Sequence, residues 1–299
     1  MTKIRKCVIP AAGFGTRLLP ATKSQPKEMI PVGRKPVIQF VAEEAARAGI
    51  KEILIITGAK KRSIEDHFDT DTELNTFLKN KGKEEYIKEI NLYDKLGVQF
   101  FFTRQAKPVG LANAIGLAEK FVNEENFVVS LGDTIIKSKN YDEKNFLKNM
   151  IDLHTKTNAS SIIAVEKVPM EQVSRYGVIK AEIIQEGVYK ILELIEKPPI
   201  EKAPSNLAIA GRYTFSPEIF DAIKATPVGI GGEFQLTDSI SILLKKNKEI
   251  LAIELAENFI RYDIGNFFAY ATAFVDICLA DEEIGEQFLK FLRKKVNLD

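Results

Sequence analysis

Apolar runs alternate with stretches whose apolar residues recur every three or four positions, and this alternation fills the first half of the chain. Ile4, Cys7, Val8 and Ile9 predict a short first strand. Val37, Phe40, Val41, Ala45 and Ala48 stand at helical spacing before Gly49, which predicts a helix over residues 37–48. Residues 53–57 (ILIIT) and 98–103 (VQFFFT) predict strands, residues 111–122 a helix, and residues 127–131 (FVVSL) a buried strand running into Gly132 and Asp133. Strands and helices in turn imply a mostly parallel sheet with helices on its faces. Residues 60–95 mix Lys and Glu with spaced Leu74, Phe77, Leu78, Tyr86, Ile87 and Ile90, the pattern of a helical pair inserted over the sheet edge.

The second half is richer in strands. Residues 160–166, 177–181, 189–196 and 208–215 read as strands, and residues 220–225 and 239–246 as helices. From Phe267 onward the pattern is helical, with a basic finish at Arg293, Lys294 and Lys295. No linker, repeat or low-complexity tract divides the chain. The expectation is one α/β unit with a smaller strand-rich lobe.

Composition narrows the chemistry. A chain of 299 residues with 45% hydrophobic content can bury a full core. A net charge of +1 gives no global field toward nucleic acid or an anionic membrane. No run is long enough to span a membrane, and no signal peptide is apparent. Two distant cysteines, Cys7 and Cys278, suit a reducing cytoplasm, with Cys7 a buried strand residue. With only His67 and His154, a histidine zinc site or a Ser-His-Asp triad is disfavoured. An enzyme built from this chain works with Lys, Arg, Asp and Glu, and with a hard cation held by oxygen.

The segment from Pro10 to Lys27, PAAGFGTRLLPATKSQPK, is the richest in candidate chemistry. Gly13 and Gly15 allow a tight turn and a close backbone approach to a ligand. Thr16 and Arg17 add a hydroxyl, a guanidinium and the start of a helix, and Lys23 and Lys27 two ammonium groups. Together they suit a polyanion such as a nucleoside triphosphate. Leu18 breaks the dinucleotide GxGxxG pattern, and no Gly-Lys-Ser/Thr run completes a P-loop. Asp133, at the carboxyl end of an apolar strand, stands where an open α/β sheet places ligands, and suits Mg²⁺ or a plain turn. Asp263, before Gly265, has the same look, or that of a helix N-cap. Glu196 and Lys197 end a strand before two prolines; the Lys suits a phosphate and the Glu sugar hydroxyls, unless they form a surface ion pair. Gln105, with Gly110 beyond it, is a possible reader of a pyrimidine edge.

Eight motifs occur in a known order: Gly13-Phe14-Gly15-Thr16-Arg17, Pro26-Lys27-Glu28-Met29, Gly132-Asp133, Ser174-Arg175-Tyr176-Gly177-Val178, Glu196-Lys197-Pro198, Gly211-Arg212-Tyr213, Glu233-Phe234-Gln235-Leu236-Thr237-Asp238 and Asp263-Ile264-Gly265-Asn266. In these the chain resembles the sugar-1-phosphate nucleotidylyltransferases, from Lys6 to about Phe291. Ala21-Thr22-Lys23, PKEM, the insert from His67-Phe68-Asp69 and Pro204-Ser205-Asn206-Leu207-Ala208-Ile209 resemble the uridylyl branch.

The resemblance implies a Rossmann-like fold of the nucleotide-diphospho-sugar transferase type, a mostly parallel mixed sheet with helices on both faces and a smaller strand-rich sugar-binding lobe. It would be a single domain over residues 1–299: a mainly nucleotide-binding half (1–140), a mainly sugar-phosphate-binding half (141–266) and C-terminal helices (267–299). It implies UTP and glucose 1-phosphate as substrates, UDP-glucose and pyrophosphate as products, Mg²⁺ as cofactor, and a homodimer or homotetramer. It further implies that Ala11, Ala12 and Gly13, with Gly15 and Thr16, meet the nucleotide, that Arg17 holds pyrophosphate, and that Lys27 sits at the reacting phosphates. Gln105 and Gly110 would read uracil, and Gly177 and Glu196 would hold glucose hydroxyls. Lys197 would hold the sugar phosphate, and Asp133 and Asp263 the metal. Thr134 stands where some members carry another acid.

Overall fold

The structure, a computed structural model, describes residues 3–140 and 144–296, with the Ile230 side chain excepted. The outer ends of the expected single domain and the first residues of its second half lie outside these. Among the described residues thirteen strands form: β1 (Lys6–Pro10), β2 (Pro31–Val32), β3 (Lys35–Pro36), β4 (Glu52–Thr57), β5 (Gln99–Arg104), β6 (Phe127–Ser130), β7 (Thr134–Ser138), β8 (Ser161–Lys167), β9 (Gly177–Gln185), β10 (Val188–Glu196), β11 (Leu207–Phe215), β12 (Ile250–Glu254) and β13 (Phe259–Asp263). Nine make one sheet in the order β5-β4-β1-β6-β11-β8-β12-β10-β9.

The first four of these are parallel, as the alternating pattern requires. Beyond β6 the only parallel pair is β8–β12, and β11, β10 and β9 run antiparallel to their neighbours. The sheet is therefore mixed and not mostly parallel. β9 and β10 are joined by a tight turn at Gly187, φ +70°, and a turn that short can only join antiparallel strands. A pairing of Ala208 with Val178 brings β9 back to β11 and closes the strand-rich half into a small barrel-like ring.

Strand alternation sets the two helical layers. Cys7 and Ile9 of β1 and Ile53 and Ile55 of β4 pack with the helices Val37–Arg47 and Phe146–Thr157. Val8, Leu54 and Ile56 face the other way, onto Leu111–Gly116, Ile219–Lys224 and Leu236–Lys245. Cys7 is fully buried, and burial pushes its thiol up to about 12, so it is inert packing. The insert holds four short helices, Arg62–Phe68, Thr72–Asn80, Glu84–Ile90 and Leu92–Leu96, rather than two. It lies against edge strand β5, where Phe68 stacks on Phe100 at 4.4 Å between ring centroids and Tyr93 meets both edge-on. The expected helix over 111–122 breaks into Leu111–Gly116 and Glu119–Val122, and the C-terminal part forms Phe267–Leu279 and Gly285–Lys295.

Candidate active site

The glycine segment leaves the end of β1 between β4 and β6. Ala11 donates its N–H to Ile56 at 2.8 Å, and Gly58 gives Ala12 room: a Cβ at Gly58 would lie 3.0 Å from the Ala12 oxygen. Gly15 is left-handed at φ +68°, and Thr22 Oγ1 donates to its carbonyl at 2.8 Å. No helix starts at Thr16. The chain instead makes three single 3₁₀ turns, Thr16–Leu18, Ala21–Lys23 and Lys27–Met29, because Pro20 and Pro26 lack the N–H groups that a longer helix would need. The helix-terminus contribution to anion binding expected here therefore falls away, leaving the cations and loop N–H groups of the segment.

Lys27 turns inward and its ammonium donates to Asp133 Oδ2. Gly13 lies alongside, where a Cβ would stand 4.0 Å from Lys27 Nζ, an ordinary contact. Burial works against both charges, but each offsets it for the other. Lys27 is held above its ordinary value, and Asp133 below the usual carboxylate range. Beneath them Glu28 accepts from Lys61 at 2.8 and 3.0 Å. Burial dominates there, raising Glu28 and lowering Lys61, so this pair leans toward its neutral form.

Asp263 comes to the same place through long-range pairing. β13 lies antiparallel to β7, with Asp263 opposite Thr134, and Ile264 N donates to the Asp133 carbonyl at 3.0 Å. Asp263 ends a strand; the N-cap of the next helix is Asn266, whose Oδ1 accepts from Ala269 N at 3.0 Å. Arg17 lies over the turn between them. A Cβ at Gly265 would sit 3.0 Å from the Arg17 guanidinium and 2.9 Å from Asp263 Oδ1, so a side chain there would displace one of these two groups. Two carboxylates without a third acid fit magnesium, which takes one or two carboxylates and completes its octahedron with water and phosphate oxygens. No group of three or more His, Cys, Asp or Glu is gathered for a metal among the described residues.

The other wall is built by β9 and β10. Gly177 pairs with Glu196, and Thr237 Oγ1 donates to Glu196 Oε2 at 3.0 Å. A side chain at Gly177 would collide with Ile209 and Thr237 at 2.9 Å. Lys197 turns the chain at φ 46°, so Glu196 and Lys197 do not point to opposite faces; their charged groups meet at 3.4 Å. One cleft of about 230 Å³ is lined by Arg17, Asp133 and Asp263 and also by Gly177, Glu196 and Lys197. A larger cleft of about 400 Å³, between Arg34 and Asp281, contains none of the sequence-predicted site residues, so size does not mark the site.

Gln105 and Gly110 form a neighbouring cluster. Gln105 is buried and its Nε2 donates to Asn113 Oδ1 at 2.8 Å and to the Gly110 carbonyl at 3.2 Å. Gly110, at φ +123°, lets the Phe234 backbone cross where a Cβ would be 2.4 Å away, and the next residue, Leu111, lines the cleft. Lys23 is not among the cleft-lining residues.

Several lining residues carry no expectation from sequence. Arg175, Tyr176 and Arg261 stack, with the Arg261 guanidinium 5.0 Å from the Tyr176 ring centre and that of Arg175 5.7 Å. Thr237 and Gln235 enter from the start of Leu236–Lys245. Arg212 lies fully buried behind the cleft, donating to Glu44 Oε2 at 2.7 and 2.8 Å and to the Thr134 carbonyl at 2.7 Å. The sequence signal for Arg175 and Arg212 was their place inside ordered motifs; for Asn113 there was none.

Comparison with known proteins shows the family. The family model described as nucleotidyl transferase matches residues 6–279. A UTP–glucose-1-phosphate uridylyltransferase of Streptococcus pyogenes is 45% identical over 295 residues, covering 98% of this chain and 95% of its own. A crystal structure of UDP-glucose pyrophosphorylase complexed with UDP-glucose superposes with a TM-score of 0.82 at 42% identity, covering 91% of this chain and 97% of that one. A UTP-bound UGPase from Acinetobacter baumannii superposes with a TM-score of 0.87 at 35% identity, covering 97% and 98%. With Arg17, Asp133 and Asp263 lining one cleft together with Gly177, Glu196 and Lys197, and with the family model matched over residues 6–279, the chain belongs to the nucleotidyl transferase family.

Proposed function

We propose that this chain transfers a uridylyl group from UTP to glucose 1-phosphate, giving UDP-glucose and pyrophosphate. The observation that carries the reading is the single cleft with two chemistries. One wall offers Arg17, Asp133 and Asp263, with Lys27 behind Asp133, for a metal-bound triphosphate; the other offers Gly177, Glu196 and Lys197 for a sugar phosphate. The names of the relatives and of the ligand-bound structures supply the substrates.

A phosphate oxygen of glucose 1-phosphate attacks the α-phosphorus of UTP, and pyrophosphate departs. The nucleophile is already an anion, so no base has to remove a proton. The obstacle is repulsion between two polyanions. Lys27 and Lys197 lower it from either side, and Arg17 stabilises charge growing on the leaving group. Magnesium held by Asp133 and Asp263 would withdraw charge from the phosphate oxygens it binds. Holding both substrates in line supplies up to about 7–11 kcal/mol of the barrier reduction. Gln105 meets the base: with Nε2 engaged by Asn113 and Gly110, its Oε1 is the atom to accept the N3–H of uracil.

Pyrophosphate release measured across UTP, dTTP, CTP and ATP, each with several sugar 1-phosphates, tests the reading. UTP with glucose 1-phosphate should give the highest kcat/KM. Preference for dTTP would reassign the substrate, and no release with any pair would make the chain a nucleotide-sugar binding protein without catalysis.

A further inference from the structure

The cleft gathers more positive charge than the reading above uses. Lys27 pairs with Asp133, Lys197 meets Glu196 at 3.4 Å, and Arg261 is bound to Glu166, with Asp263 at 3.9 Å. Arg17 faces the departing pyrophosphate. Arg175 is different. It lines the cleft, its side chain is exposed, and among the described residues no carboxylate lies within 4 Å of it; the contact it makes is with the face of Tyr176.

Its place is also fixed. Arg175 closes the 3₁₀ segment Met170–Arg175, and the Tyr176 N–H bonds back to Val173 at 3.1 Å. The Tyr176 carbonyl then accepts the Lys197 N–H at 3.0 Å, so Arg175 and Lys197 stem from adjoining points of neighbouring segments. The Tyr176 ring is held in turn by Arg261, whose side chain is only 7% exposed. A guanidinium steered by an aromatic face, lacking a carboxylate and beside a phosphate-directed lysine, has the fork geometry for two phosphate oxygens that an ammonium lacks.

We propose that Arg175 is a second anchor for the phosphate of the incoming sugar phosphate, gripping it together with Lys197 and thereby setting selectivity for a sugar phosphate over the free sugar. The inference rests on the proposed reaction and deepens it. The ligand carries two negative charges as a nucleophile, and the same group becomes the β-phosphate of the product. Arg175 therefore serves glucose 1-phosphate in the forward direction and UDP-glucose in the reverse one, and has no part in holding pyrophosphate.

Arg175→Ala, Arg175→Lys and Tyr176→Leu are compared with the full-length wild type in both directions. Arg175→Ala should raise the KM for glucose 1-phosphate about 10- to 100-fold, the range for one charge-assisted hydrogen-bonding group, while the KM for UTP and for pyrophosphate stays within about twofold. Arg175→Lys should recover part of the loss, since it keeps the charge but not the fork. Tyr176→Leu should fall between, because the guanidinium loses its guide. An unchanged KM for glucose 1-phosphate in Arg175→Ala, or an equal rise for UTP, overturns the proposal. Wild type that turns over normally in either case leaves the uridylyl-transfer reading standing, whereas inactive wild type removes that reading first.

Discussion

Replacing Lys27 by methionine separates the two jobs of that side chain. Its ammonium pairs with Asp133 in the folded state and, in the proposed reaction, screens the phosphates in the transition state. Both side chains are about four-fifths buried, at 18% exposure each. Removing one partner of a fully buried pair costs about 3–5 kcal/mol; with water reaching this pair, about 2–3 kcal/mol is expected in urea unfolding at pH 7. Loss of one donor aimed at developing charge lowers kcat by about 10²–10³. The pH response gives the sign. Asp133 is held below its ordinary range by Lys27, so its contribution to stability is present above the unfolded carboxylate value and is lost only as pH falls through a lower folded one. Without Lys27, burial is opposed only by a backbone hydrogen bond and the more distant Arg17, the carboxyl rises, and the loss sets in at higher pH. Stability followed from pH 7 to 3 should drop earlier in Lys27→Met than in wild type. The double variant Lys27→Met/Asp133→Asn should regain most of the stability and none of the turnover. A kcat for Lys27→Met within threefold of wild type, measured by pyrophosphate release, would refute the reasoning.

Two other predictions concern stability alone. His154 lies buried on Phe146–Thr157 with Nδ1 2.7 Å from Thr214 Oγ1 and Nε2 unpartnered, and burial lowers it from 6.5 to about 4. Below pH 6.5 the unfolded chain takes the proton first, so stability should fall by up to about 3 kcal/mol toward pH 4; His154→Phe should flatten that slope in urea titrations. Arg212→Met leaves the Glu44 carboxylate buried without its partner, and chemical denaturation should show a loss of about 3–5 kcal/mol, which Glu44→Gln in the same chain partly restores.

The legibility of the chain followed the length and apolarity of its elements. Residues 53–57 and 127–131 announce strands because both faces are covered and no polar alternation blurs them. β7 and β13 were invisible: TIIKS and FIRYD are short, carry charge, and pair only with each other. That pair is what brings Asp263 to Asp133 across 130 residues, so the sequence offered both aspartates as candidates but not their convergence. Direction in the sheet was misjudged for a related reason. Continuous apolar runs such as 208–215 look parallel, yet β11 is buried on both faces because the ring closes over it. Of the glycines singled out, Gly177 lines the cleft beside Glu196, while Gly13 and Gly15 lie next to Lys27. Arg212 was visible only as part of a motif, because nothing local says that a charge will be wholly buried on Glu44.

The pH dependence of the reaction should separate substrate ionisation from protein ionisation. Neither histidine lines the cleft: His67 sits on Arg62–Phe68 with Nε2 3.1 Å from Gln39 Oε1, and His154 is locked in the core. Lys27 is held above its ordinary range and Asp133 below it, so both keep their charge through neutral pH. What remains to titrate is the nucleophile, since a phosphate monoester takes its second charge near pH 6. The acid limb of kcat/KM for glucose 1-phosphate should therefore lie at about pH 6, and His67→Gln should not move it. A phosphonate analogue with a higher second ionisation should shift the limb upward with it. A limb that follows His67→Gln, or stays fixed when the substrate ionisation changes, would mean that a protein base takes part and that direct attack by the phosphate dianion is wrong.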